Sequence, residues 1–188
     1  MARLPYVNPA EAPEKVRETL ERVPPLNVFK MLAHAETAFR PWLRFGGALL
    51  GASEVDPVQR ELAILRVSKL TPGAEYEWVQ HVPILLAVGG TEAQVAALTT
   101  GDVDADCFDA DQRLVLRFTT EVVREAQPEE ATWAAASERF SPRQIIELLL
   151  VIGQYMMLGR IMATTRLDID GPFGVEVADG ANQAAARG

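Results

Sequence analysis

Cysteine is nearly absent from this 188-residue chain. Cys107 stands alone, so an internal disulfide, a dithiol redox pair and a Cys-based zinc site are all excluded. Histidine is scarce too: His34 and His81 are too few for a His-rich metal centre, and no metal or cofactor is expected. Positive charge is in deficit, with 18 Lys and Arg against 26 Asp and Glu and a formal net charge of −8. That balance argues against nucleic acid or an anionic membrane as partner, because both need a basic patch. The longest apolar run, Leu148 to Ile152, is far short of a membrane span. The opening MARLPYVNPAEAPEK lacks the apolar core of a signal peptide, so the expected location is the cytoplasm.

What the chain does have is apolar content. Hydrophobic residues make up 48%, enough for one domain with a substantial core. No stretch alternates apolar and polar residues as a half-buried strand would, so the expected fold is all-helical. The domain should span 1–174, opening with an arm and helix over 1–25, and 175–188 reads as a flexible tail. Pro13 suits the first turn of a helix to about Arg22, and Pro24-Pro25 ends it. Asn27 reads as the cap of a helix through Phe39, with Pro41 opening or kinking into the next. His34, in this part, reads as structural or solvated.

Asp56-Pro57-Val58-Gln59 is a helix start, and that helix should reach about Leu70. Thr71-Pro72-Gly73 breaks it, and a second helix runs from about Ala74 to Val88. Thr91 opens a short helix and Asp109 a longer one, with Leu114, Phe118, Val122 and Ala126 spaced for burial. Pro128 starts another. The Asp102/Asp104/Asp106 loop is not a calcium loop, since Cys107 takes the place of the turn glycine and Arg113 that of the closing Glu. Ser141-Pro142-Arg143-Gln144 starts the longest helix, to about Thr165. It is apolar most of the way round and so is expected to be central, with Gly153 and Gly159 as points of close approach. Its start echoes the one at Asp56, which suggests an internal pseudo-repeat of two helical hairpins.

The chemistry-bearing residues gather in Arg60 to His81. Glu77 and His81, four apart, lie side by side on one helix, where a carboxylate can fix the imidazole tautomer and raise its basicity. Ala74, Trp78, His81, Leu85 and Val88 form an apolar stripe on that helix. Glu61, on the preceding helix, points with Val58, Ile64 and Leu65 toward apolar surroundings. A hairpin through Thr71-Pro72-Gly73 would bring it against His81. Tyr76 is a candidate hydrogen-bond donor to a developing enolate. Pro83 removes the N–H that would bond the Val79 carbonyl, within a turn of His81. The plainer readings are a satisfied core histidine, dipole-stabilising acids in a first turn, and a Glu61 that only pairs with Arg60 or Arg66.

LRELAILRVSKL followed by EYEWVQH resembles the carboxymuconolactone decarboxylase family, which includes the alkyl hydroperoxidase D (AhpD) proteins. The resemblance covers most of Leu26 to Leu167, and Gln154-Tyr155-Met156-Met157 agrees with the family's last helix. It implies an AhpD-like helical bundle, assembled as a trimer or hexamer, with pockets near subunit contacts. In the hydroperoxidase branch the motif is Cys-x-x-Cys-x-x-x-His with a Glu upstream. Here Ala74 and Glu77 stand where the two cysteines belong, while His81 and Glu61 keep the acid–base positions.

The favoured expectation is therefore a cofactor-free lyase or isomerase acting on a small organic acid or lactone. His81 would be its base or acid, with Glu77 orienting, Glu61 relaying and Tyr76 donating. Residual thiol peroxidase activity is disfavoured by the missing cysteine pair. A non-catalytic oligomeric binding protein is the third reading. A homo-oligomer is expected because RPWLRFGGALL and the longest helix look too apolar for a monomer. Arg60, Arg66 and Arg160 are the candidates for a carboxylate clamp.

Overall fold

A computed structural model describes residues 1–171 and 174–185. Among these there are ten helices and no strand. They are α1 (Glu14–Leu20), α2 (Asn27–Leu32), α3 (Glu36–Gly51), α4 (Pro57–Leu70), α5 (Glu75–Ala87), α6 (Glu92–Thr100), α7 (Ala110–Glu125), α8 (Glu130–Arg139), α9 (Pro142–Thr165) and α10 (Gly174–Ala185). The all-helical expectation holds. Asp56, Thr91, Asp109 and Ser141 each accept a hydrogen bond from the backbone N–H three residues on, so all four expected starts are real caps.

The helix at the centre is α4, not α9. Nine consecutive residues of α4, Arg60 to Ser68, are buried, and the helix packs against α5, α6, α7 and α9. Its polar residues hid this, because Arg60, Glu61 and Arg66 look like surface residues until their partners are known. The apolar surplus of α9 instead stays partly outside, with Ile146, Leu150 and Met157 exposed. Gly153 lies on this exposed face and meets nothing, against the expectation of close approach.

Gly159 does carry a close approach. A Cβ there would lie 2.8 Å from Thr71 Cγ2. One turn on, Ala163 meets Gly73, whose φ of +81° suits glycine and whose added Cβ would fall 2.8 Å from Ala163 Cβ. The α4–α5 turn is thus seated on α9, and Ser68 Oγ closes it by donating to the Ala74 carbonyl at 2.8 Å.

Three further expectations change. Helix α2 ends at Leu32, and α3 starts afresh at Glu36 with Pro41 inside it. Asn27 is not its own cap: its N–H donates to Asp170 Oδ2 and its amide to the Asp168 carbonyl, so the loop after α9 caps α2. On α7 the buried residues are Val115, Leu116, Phe118 and Thr119, a face rotated from the expected one, and Ala126 is exposed. The tail expected from Val175 is helical as far as Ala185 and packs α10 on α3 and α5. Ala178 is buried and Gly51 meets the Ala181 carbonyl. Residues 186–188 lie outside the described part. His34 is exposed, its Nε2 2.7 Å from the Pro5 carbonyl, in line with a structural role.

Candidate active site

The helical hairpin brings Glu61, Glu77 and His81 together. Glu61 is fully buried on α4. Its Oε2 lies 2.7 Å from His81 Nδ1, and its Oε1 accepts from Arg60 Nε at 3.1 Å. The carboxylate only accepts, so Nδ1 is the nitrogen that carries the proton toward it. Nε2 is thereby left as the nitrogen on the side away from Glu61. It lies 3.5 Å from Glu77 Oε2, a contact at the outer limit of a hydrogen bond. One face of the imidazole is therefore held and the other is free to exchange a proton.

Tyr155 of α9 sets the ring plane. Its ring is 4.8 Å from that of His81 at 89°, an edge-to-face pair. The geometry follows from the seating described above, since Tyr155 is one turn before Gly159 on the face that receives the hairpin. Burial, followed by Glu77 and Glu61, holds the Tyr155 phenol well above its ordinary value, so it stays neutral.

The electrostatics separate the two carboxylates. Burial pushes Glu77 up from 4.5 to about 7; His81 opposes the rise and Glu61 adds to it. For His81, burial disfavours the imidazolium, but attraction to Glu61 and the hydrogen bond with it, helped by Glu77, outweigh this and raise its pKa. At neutral pH the Glu77–His81 pair can thus both give and take a proton.

Glu77, His81, Tyr76, Gln80 and Tyr155 line a cavity of about 760 Å³ enclosed by α3, α5, α9, α10 and the segment joining α1 to α2. The face of α5 turned to it is Glu77, Gln80, His81 and Ile84. This is offset from the expected stripe, since Trp78 and Leu85 pack into a second cluster with Leu62, Leu65, Leu98, Phe108 and Leu116. Tyr76 lines the cavity but is not brought to His81. Among the described residues its buried hydroxyl meets no hydrogen-bond criterion, and burial, followed by the nearby Asp170 carboxylate, pushes its pKa far up. Gln80 Nε2 donates to the Gly171 carbonyl at 2.8 Å and so ties the cavity wall to the loop after α9.

The expected arginine clamp is elsewhere. Arg60 is committed to Glu61, Arg66 Nε donates to Thr120 Oγ1 on the α7 side, and Arg160 bonds the Met156 carbonyl at the surface. The arginines that line the cavity are Arg22, Arg40 and Arg44, which sequence spacing did not single out. The i, i+4 interval between Arg40 and Arg44 was the available signal. Cys107 packs in the second cluster, not in the cavity lining. Among the described residues no group of His, Cys, Asp and Glu is arranged to hold a metal ion.

The all-α bundle has the AhpD-like helical fold. Two solved structures share this fold. One is described as an AhpD core, an uncharacterized peroxidase-related protein from Ralstonia eutropha JMP134. It is 23% identical, with a TM-score of 0.77 over 93% of this chain and 95% of that one. The other, an uncharacterized peroxidase-related protein from Silicibacter sp. TM1040, is 22% identical, with a TM-score of 0.76 over 92% and 94%. Residues 36–121 match the carboxymuconolactone decarboxylase family model. No match is found among curated proteins.

Proposed function

We propose that this protein is a cofactor-independent acid–base enzyme, a lyase or isomerase acting on a carbonyl compound such as a lactone or an unsaturated acid. The observation that carries the reading is the pairing of His81 Nε2 with a protonatable Glu77 at the wall of a cavity, behind a Nδ1 already held by Glu61. In an isomerisation, Nε2 takes the proton α to the carbonyl as the C–H bond breaks, and the electron pair moves into the enolate. Protonated Glu77 then delivers its proton to the γ carbon. Proton return from His81 to Glu77 across 3.5 Å resets the pair. In a decarboxylation the same Glu77 proton would quench the enolate left when carbon dioxide departs.

Glu61 acts as the group that positions His81, with Arg60 balancing its charge. Tyr76 has a minor part in this scheme because its hydroxyl lies near the Asp170 carboxylate. The fold is shared with proteins described as peroxidase-related, so a peroxidase-type role is the second reading. It would depend on Cys107, which is not in the cavity lining. We further propose self-association through the exposed apolar face of α9 with Phe45 of α3.

The test is incubation with a panel of lactones and unsaturated acids in D₂O, followed by mass spectrometry. Deuterium uptake or product formation that disappears in His81→Ala is expected. Full turnover by that variant, or no exchange with any carbonyl compound, would refute the reading. Unchanged peroxide consumption by Cys107→Ser would remove the second.

A further inference from the structure

The cavity is too large for the small acids that its acid–base pair first suggests. Its volume of about 760 Å³ equals the liquid volume of roughly 25 water molecules, in the range that encloses a drug-sized ligand. A lactone acid of about a dozen non-hydrogen atoms would leave about half of it empty. The wall between mouth and acid–base pair is apolar, built by Phe29, Trp42, Leu50, Ile84, Leu158 and Val177.

The charges are unevenly placed along it. Arg22, Arg40 and Arg44 line the cavity, are exposed, and make no ion pair with any described carboxylate. Among the described residues, the lining holds one carboxylate apart from Glu77, the exposed Glu176 of α10. Solvated surface arginines are ordinary in isolation. Three around an apolar cavity, in a chain with a net charge of −8, reverse the local sign and favour an anion there. The inner end does the opposite, because Glu61 and Glu77 repel a second buried anion.

We propose that the ligand of this cavity is an amphipathic carboxylate. Its head pairs with Arg22, Arg40 and Arg44, an apolar body of up to about twenty carbons fills the interior, and any carbonyl it carries is neutral and faces His81 Nε2 and Glu77. The last element rests on the acid–base reading above; the head and body do not.

The probe is dodecanoate below its micelle concentration, followed by calorimetry, with hexanoate and dodecyltrimethylammonium as comparisons. Dodecanoate should bind at least tenfold tighter than either. The double variant Arg40→Gln/Arg44→Gln, and Arg22→Gln separately, should weaken dodecanoate at least tenfold and leave dodecyltrimethylammonium within twofold, with thermal melting unchanged. Equal binding of dodecanoate and hexanoate, equal binding of the cation, or indifference to the arginines would overturn the assignment. The two readings fail separately. Turnover of a small lactone without dodecanoate binding sinks the ligand class alone. Dodecanoate binding that survives His81→Ala, in a protein that converts no carbonyl compound, sinks the acid–base reading alone.

Discussion

Replacing Glu61 by Gln keeps the shape of the most buried carboxylate in the protein and removes its charge. In the native chain that charge faces Arg60 Nε at 3.1 Å and His81 Nδ1 at 2.7 Å, with all three side chains buried. Two consequences follow. The Glu61 charge is the main force holding His81 above its ordinary value against burial. In Glu61→Gln burial is left dominant, so the His81 pKa should fall below its ordinary value. Removing one partner of a buried pair also strands the other. Arg60 would remain inside without a counter-charge, at a cost of about 3–5 kcal/mol. For a chain of this length that corresponds to a melting temperature lower by roughly 6–20 °C. The chain holds two histidines, one exposed and one buried, so an NMR titration of the imidazoles yields two resolvable curves. His34→Ala identifies the His81 signal. A His81 pKa unchanged by Glu61→Gln, or a variant as stable as the native protein, would refute the argument that Glu61 controls the ring.

Other consequences can be tested on the same protein. Glu77 is protonated more readily folded than unfolded, so its burial cost is absent below pH 4.5 and grows as the pH rises through 7. Glu77→Gln should therefore stabilise the protein above pH 7 by at most about 3 kcal/mol and change nothing near pH 4; denaturant titrations at both pH values check this. The raised His81 pKa acts in the same sense, its stabilisation being present below 6.5 and lost as the pH rises through the folded value. Gly159→Val should drive the hairpin turn off α9, lowering stability by about 2–4 kcal/mol, and should move the His81 signal through Tyr155. Leu150→Glu should lower the oligomer order seen by size-exclusion chromatography with light scattering; a native protein eluting as a monomer contradicts the proposed self-association.

Local signals made the helices legible. The caps at Asp56, Thr91, Asp109 and Ser141 and the break at Thr71-Pro72-Gly73 are short-range chemistry, and short-range chemistry is written in the sequence. The Glu77–His81 pair was legible for the same reason, being an i, i+4 contact, and Glu61 followed once the turn placed two helices side by side. What the sequence could not show were partners supplied from far along the chain. Asp170 caps α2 from 143 residues away, and Asp168 accepts from Tyr6 across 162. Polarity likewise hid the burial of α4, because Arg60 and Glu61 satisfy each other inside the fold. Arg22, after α1, and Arg40 and Arg44 of α3 are far apart in the chain, and only packing brings them to the lining of one cavity.

That same burial of α4 explains how one histidine can serve two masters without losing its geometry. A catalytic imidazole needs a fixed ring and a mobile proton, and these demands conflict if one carboxylate must meet both. Here they are divided between helices. Glu61, within the run of nine buried residues, is held by Arg60 and in turn holds Nδ1. Glu77, at the cavity wall on α5, sits 3.5 Å from Nε2, too far to lock it and near enough to exchange with it. The division makes opposite demands of the two residues under substitution. At position 61 the loss of charge should disturb ring, fold and chemistry together. At position 77 it should spare the fold, or strengthen it at high pH, and remove only proton delivery. A Glu77→Gln variant that loses stability at pH 8 while keeping turnover would reverse those roles.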